Sequence, residues 1–303
     1  MINTVRNDNI DFSSCMKANG KLFSLYKNFA LLLSQSKIGD LQIVASLHSL
    51  IISFLQPEAV EVFGNKLFLD RGDSLRLSIK GIHDPVQTSL TKKYVKEGDV
   101  IIDVGAHIGY YTLIFANLVS QNGRVFAFEP SPDNFKLLKK NVALNNYQNV
   151  TLVNTAVGNK SGHISLYLSE TSQADHKTYD DGNLRKSIQV QSTTLDDYFS
   201  KFKGEINFVK IDVQGAEAAV IDGMRKIIKA NPRIKILTEY WPFGMAKTGV
   251  KPDQYLKLLA ELGFRLIDIN EYTNQIHTYK VNQFLKKYTI ANTIVTNILC
   301  VRN

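Results

Sequence analysis

From about residue 91 onward, short apolar runs alternate with amphipathic stretches, and this rhythm sets the expected architecture. The runs VIIDVG (100–105), RVFAFE (124–129), VTLVNTAV (150–157), INFVKIDV (206–213), KILTEYW (235–241) and FRLIDIN (264–270) read as strands, with a last strand near 292–301. Amphipathic segments between them predict helices near 109–120, 132–145, 215–230 and 252–262. Strand and helix alternating at this spacing predict an α/β fold: a doubly wound, mostly parallel sheet with helices on both faces. Burial on both faces explains why the strand runs are continuously apolar.

Three regions separate by pattern. Residues 1–56 read as a helical N-terminal region that ends before Pro57, and residues 57–90 as an arm of short strands joined by GN and RGD turns. Residues 91–303 form the wound region. One stretch interrupts its alternation. After NTAVGNKSGHISLYLS the chain passes through polar ETSQADHKTYDDGNLRKS (170–187) and returns with IQVQSTTLDDYF. This reads as an inserted hairpin with a long mobile tip, either a lid over the strand ends or a surface loop.

Bulk properties narrow the classes further. The chain has 303 residues, 44% of them hydrophobic, and a formal charge of +8, which suits a globular protein with an anionic partner. Its basic residues are scattered in clusters such as Lys92, Lys93 and Lys96, or Lys136, Lys139 and Lys140, as expected of solvated helix faces. No basic run interleaved with aromatics suggests nucleic acid. Cys15 and Cys300 offer no metal spacing or disulfide framework, which fits a reducing compartment. The N-terminus lacks the apolar core of a signal peptide, so a cytoplasmic location is expected. The stretch LQIVASLHSLIISFLQ (41–56) is too short and polar for a membrane span of about 20 residues. It predicts a buried or dimer-forming helix, with His48 a core or interface residue and a homodimer through the N-terminal helices as one outcome.

Candidate chemistry gathers where a wound sheet binds ligands, at the carboxyl ends of its strands. Asp103 and Gly105 end the first strand, Glu129 the second, Thr155 and Ala156 the third, Asp212 the fourth and Glu239 the fifth. A carboxylate in the place of Glu129 accepts ribose hydroxyls of a nucleoside lying on the first glycine turn. That turn is Gly105-x-x-x-Gly109, without the middle glycine of a dinucleotide fingerprint and with Asp103 before it. Asp103 would repel a pyrophosphate and suit an amino group. A nucleoside joined to an amino acid through a positive centre describes S-adenosylmethionine.

The segments DVGAHIGYYT, FEPSPDNF, TTLDDY and VKIDVQGAE, in this order, resemble the FkbM-type S-adenosylmethionine-dependent methyltransferases over roughly residues 80–270. The resemblance implies a class I methyltransferase fold and O-methylation of a hydroxyl on a sugar, glycan or other natural product. It implies a cofactor loop of Asp103, Gly105, Ala106, His107 and Gly109, running on to Tyr110 and Thr112. Glu129 becomes the ribose clamp, with Pro130 and Ser131 beside it. Thr155 and Ala156 lie by the adenine, and Asp212 nearest the transferred methyl. Two positions depart from the family pattern: His107 stands where Asn is more frequent, and Gln214 where Glu is common.

Methyl transfer to a hydroxyl needs a positioned nucleophile and a proton acceptor. Asp212, Glu239 and His83 are the candidates for the base. Trp241 and Phe243 either face a sugar ring or pack. Glu217 either caps its helix or joins the site, and a metal held by Asp212, Glu217 and Glu239 is a minority reading; no metal is assigned. The rival functions are an NAD-type oxidoreductase and a non-catalytic cofactor-binding scaffold.

Overall fold

In a computed structural model of the chain, the described residues are 55–302 together with Phe23, Tyr26 and Lys27. Cys15, His48 and nearly all of the expected N-terminal helical region, with the homodimer read from it, lie outside the described residues. Phe23 and Tyr26 are helical and pack on Ile79.

The chain forms a hairpin of β1 (Ala59–Val62) and β2 (Asn65–Phe68), then α1 (Leu77–Lys80) and α2 (Pro85–Tyr94). The wound part opens with β3 (Val100–Val104), α3 (Tyr110–Val119), β4 (Arg124–Phe128), α4 (Pro132–Leu144) and β5 (Val150–Val153). An insertion follows: β6 (Ala156–Val157), β7 (Gly162–Tyr167) and β8 (Ser187–Thr193), with α5 (Leu195–Tyr198) leading back. Next come β9 (Phe208–Ile211), α6 (Glu217–Asp222), α7 (Arg225–Ala230) and β10 (Lys235–Tyr240). The chain then forms α8 (Pro242–Lys247), α9 (Pro252–Glu261), β11 (Arg265–Asn270), β12 (Gln275–Tyr279), α10 (Val281–Lys287) and β13 (Thr296–Val301).

The eight-stranded sheet has the order β12-β11-β13-β10-β9-β3-β4-β5. Strands β5, β4, β3, β9 and β10 run parallel, and β13 inserts antiparallel between β10 and β11. The fold is therefore the mostly parallel α/β sheet the sequence predicts. Alternate residues face opposite cores. Ile101, Val125, Phe208 and Leu237 join α3 and α4 on one face, whereas Ile102, Phe126, Val209 and Ile236 meet α6, α7 and α9 on the other. The chain winds outward from β3 to β5, then returns to β9 and winds the other way. The crevice between the ends of β3 and β9 is the place for a ligand.

Four expectations need correction. The strand arm holds only as far as Phe68, because residues 77–80 and 85–94 are helical. Asp73 decides this: its carboxylate accepts the N–H groups of Leu77 and Ser78, both at 2.8 Å, and so caps α1. The strand expected over 150–157 breaks after Val153. Asn154 turns to bond the carbonyls of Glu129 and Pro130, and Ala156–Val157 pairs in parallel with β8 in a separate three-stranded sheet. The helix expected over 215–230 is two. A Cβ on Gly223 would lie 2.0 Å from the carbonyl oxygen of Gly158, and Asp196 starts the second helix by accepting the N–H groups of Lys226 and Ile227. The last strand begins at Thr296, after the β12 hairpin and α10, which the pattern did not announce.

The inserted hairpin is present as β7 and β8 in antiparallel register. Its tip is tied down. Lys177 lies 2.9 Å from Asp181 and 3.3 Å from Asp175, and Arg185 grips the same two carboxylates. Asn134 donates to the Gln173 carbonyl, and the Tyr179 hydroxyl to that of Gln214. Among the described residues, no helix is long and apolar enough to cross a membrane.

Candidate active site

A cavity of about 890 Å3 opens over the carboxyl ends of β3, β4, β9, β10 and β11, under the tip of the insertion. That is room for a ligand of a few hundred daltons and part of a second, since ligand sites span roughly 300–1,000 Å3. Because β13 runs antiparallel, it presents its start, Thr296 and Asn297, to the same space.

The first glycine turn is fixed by close packing. Gly105 has φ of +78°, and a Cβ there would stand 1.9 Å from the carbonyl oxygen of Asp212. Both Gly105 and Ala106 donate their N–H groups to the Phe128 carbonyl, which pins the turn to β4. His107 follows with φ of +51°, and its N–H donates to Glu129 at 2.8 Å. The other Glu129 oxygen accepts the N–H of Ser131 at 2.9 Å. Burial pushes the Glu129 carboxyl up to about 7, against these two bonds. Burial also drives His107 down to about 3, so its ring is neutral, and its Nδ1 is buried without a partner.

Of the residues read from the sequence, Gly105, His107, Glu129, Pro130, Thr155 and Ala156 line the cavity. Asp212, Glu239 and His83 line it as well. Ala106, Gly109, Tyr110, Thr112 and Ser131 stand behind it. Gly109 gives α3 room, since a Cβ there would meet Leu138 at 2.8 Å. Tyr110 donates its hydroxyl to the His83 carbonyl and so anchors the His83 segment.

Asp103 is a correction. It is fully buried and does not border the cavity. Side chains alternate along β3, and Asp103 shares the face of Ile101, turned toward α3, where Thr112 donates to it at 2.6 Å. Its strand partner across the ladder is Lys210.

Asp212 does line the cavity. Burial opposes its ionisation, yet Lys210 at 3.1 Å outweighs burial and, with a bond from Gln214, holds the carboxyl below its usual range. Glu239 is its opposite. Burial and the negative charges of Asp212 and Glu217 push it well above the ordinary glutamate range, and its Oε2 has no partner. Two carboxyl groups whose surroundings drive them apart are suited to different tasks.

Glu217 takes its structural role. Its Oε1 accepts the N–H groups of Val213 and Gly215, both at 3.1 Å, and it does not line the cavity. Among the described residues, no three His, Cys, Asp or Glu are grouped as metal ligands. Trp241 and Phe243 also stand outside the cavity, packed on each other at 5.9 Å.

Sequence reasoning missed much of the rest of the lining. Arg76, Lys80, Ile82, Glu271, Tyr272 and Asn297 belong to it, drawn from the helical arm and the ends of β11 and β13. The tip adds Gln173 and His176. Tyr272 is 83% exposed at the mouth, an unsupported aromatic face.

A model of the methyltransferase FkbM domain matches residues 103–266, more than half of the chain. The chain is similar to hexuronic acid methyltransferase AglP of Haloferax volcanii, 29% identical over 60% of this chain and 70% of that one. It is also similar to methyltransferase 1 of Beauveria bassiana, at 26% identity over 41% of this chain; the match spans 57% of that relative's length. Among solved structures, fibrillarin of Aeropyrum pernix with natively bound S-adenosyl-L-methionine overlaps at a TM-score of 0.43 and 14% identity. That overlap covers 80% of this chain and 84% of the other.

Proposed function

The chain belongs to the FkbM methyltransferase family, and on that footing we propose that it O-methylates a hydroxyl of a saccharide or glycan. S-adenosylmethionine is the cofactor, and when bound it supplies a methyl group already activated for transfer. The buried carboxylate of Glu129 at the cavity wall, with a glycine turn that no Cβ can enter, suits its ribose. Thr155 and Ala156 flank the adenine, and ionised Asp212 takes the amino group expected at Asp103. Glu239, which lines the cavity and has one oxygen without a hydrogen-bond partner, accepts the proton of the acceptor hydroxyl. His83, 3.3 Å from Asp84, stands at the acceptor's edge.

The observation that carries the reading is the Glu129 constellation. A sugar acceptor is supported by the likeness to a hexuronic acid methyltransferase and by Tyr272 at the mouth. An exposed aromatic face there packs against the C–H face of a sugar ring.

The test is calorimetric titration with S-adenosylmethionine, with NAD as control. Replacing Glu129 by Gln removes a charged acceptor and should weaken binding by about 1.5–3 kcal/mol, roughly ten- to a hundredfold. The pH dependence has a defined sign. The folded, empty protein holds Glu129 up to about 7, and ribose hydroxyls donate to the ionised form. Affinity therefore increases as pH rises through that region, proton release accompanies binding below it, and Glu129→Gln abolishes both. Heat with NAD and none with S-adenosylmethionine would reject the proposal.

A further inference from the structure

We infer that the cavity holds an anion subsite, in which Arg76 and Lys80 bind an oxyanion, a carboxylate or a phosphate, borne by the acceptor. The inference deepens the methyl-transfer reading and rests on it for the presence of an acceptor in the cavity.

The two cations stand at the ends of one helical turn. Arg76 is the N-cap of α1 and Lys80 its last residue, whose N–H donates to the Arg76 carbonyl at 2.8 Å. Both line the cavity. Neither has an ion-pair or hydrogen-bonded side-chain partner among the described residues. Arg76 also has φ of +55°, a conformation that costs a non-glycine residue free energy. Capping of α1 by Asp73 and packing of Ile79 on Phe23 and Tyr26 hold it there.

No carboxylate of the cavity is paired with either cation, and most are bonded elsewhere. Glu271 accepts the N–H groups of Val86 at 3.1 Å and Gln87 at 2.6 Å, capping α2. Asp84 meets His83, Asp212 meets Lys210, and Asp175 meets Arg185 and Lys177. Glu129 holds two backbone N–H groups. Glu239 keeps a free oxygen, and burial with two like-charged neighbours pushes it toward its neutral form. Arg76 and Lys80 are thus the arginine and lysine of the cavity lining, and no carboxylate there holds them. A guanidinium and an ammonium that line one cavity suit an oxyanion, which the guanidinium holds as a bidentate fork.

The experiment is calorimetry on the full chain saturated with S-adenosylhomocysteine, with three probes: p-nitrophenyl glucuronide, glucose 1-phosphate and neutral p-nitrophenyl glucoside. At least one anionic probe should bind about tenfold or more tighter than the glucoside, and which one does so identifies carboxylate or phosphate as the source. The double variant R76Q/K80Q should lose that preference, R76K/K80R should keep most of it, and neither should change S-adenosylhomocysteine affinity. Equal affinity for the three probes overturns the inference. So does a preference that survives R76Q/K80Q, or no binding of any probe at roughly millimolar concentration. Failure of S-adenosylhomocysteine to bind would reject the methyl-transfer reading itself, and is read separately.

Discussion

Replacing Glu239 by Gln will lower kcat by about a hundredfold to ten-thousandfold, the range removed with a general base. The substitution keeps the shape of the side chain and deletes only its capacity to take a proton. S-adenosylmethionine affinity should hardly change, because the proposed ribose and adenine contacts lie across the sheet, around Glu129 and Ala156. The pH profile supplies a second, independent readout. Glu239 must be ionised to act, so the rate climbs as pH rises through its displaced pKa, well above the usual range for a glutamate. Asp212 is one of the negative charges responsible for the displacement. In Asp212→Asn that charge is gone, ionisation becomes easier, and the rising limb moves to lower pH even though the maximal rate also falls. If Glu239→Gln retains activity within about tenfold of the natural enzyme, the base is elsewhere. A limb that follows His83→Gln instead would place it at His83.

The legible part of this protein was its sheet. Strands buried on both faces wrote themselves as apolar runs, and residues ending parallel strands, Glu129, Thr155, Asp212 and Glu239, fell where such strands must open onto a ligand. What stayed hidden depended on partners far away in sequence. Helix α2 is capped by Glu271, 185 positions from Val86, and no local pattern announces that. Asp73 turned an alternating Leu75, Leu77, Ile79 pattern into a helical turn by accepting two backbone N–H groups. Asp103 was misplaced for a different reason. Its position at a strand end was read correctly, but strand periodicity puts its side chain one face away, toward Thr112. The rest of the cavity lining escaped notice because its residues come from an arm, a hairpin and the start of an antiparallel strand. None of these carries the signature of a strand end in a wound sheet.

Gly105 separates backbone conformation from close approach, and a matched pair of substitutions can measure the two. Gly64, in the β1–β2 turn, has φ of +76°, close to the +78° of Gly105, but a Cβ on Gly64 would meet nothing within 4 Å. Gly64→Ala should therefore cost only the left-handed penalty, about 1–2 kcal/mol, with cofactor affinity intact. Gly105→Ala pays the same penalty and must also push a methyl group against the Asp212 carbonyl oxygen, 1.9 Å away. That oxygen belongs to backbone, so relief requires the β3 turn and the end of β9 to part. The strands there are joined by Asp212 N–H donating to the Val104 carbonyl at 3.0 Å. The turn's own bonds to Phe128 and the His107 bond to Glu129 move with it. A loss of about 3 kcal/mol or more in unfolding free energy is expected, with cofactor binding reduced far more than the loss of stability alone would explain. Denaturant titration and calorimetry on both variants make the comparison. Equal destabilisation with equal cofactor affinity would mean that the contact between the two strand ends is loose, and that the site does not depend on the glycine for its shape.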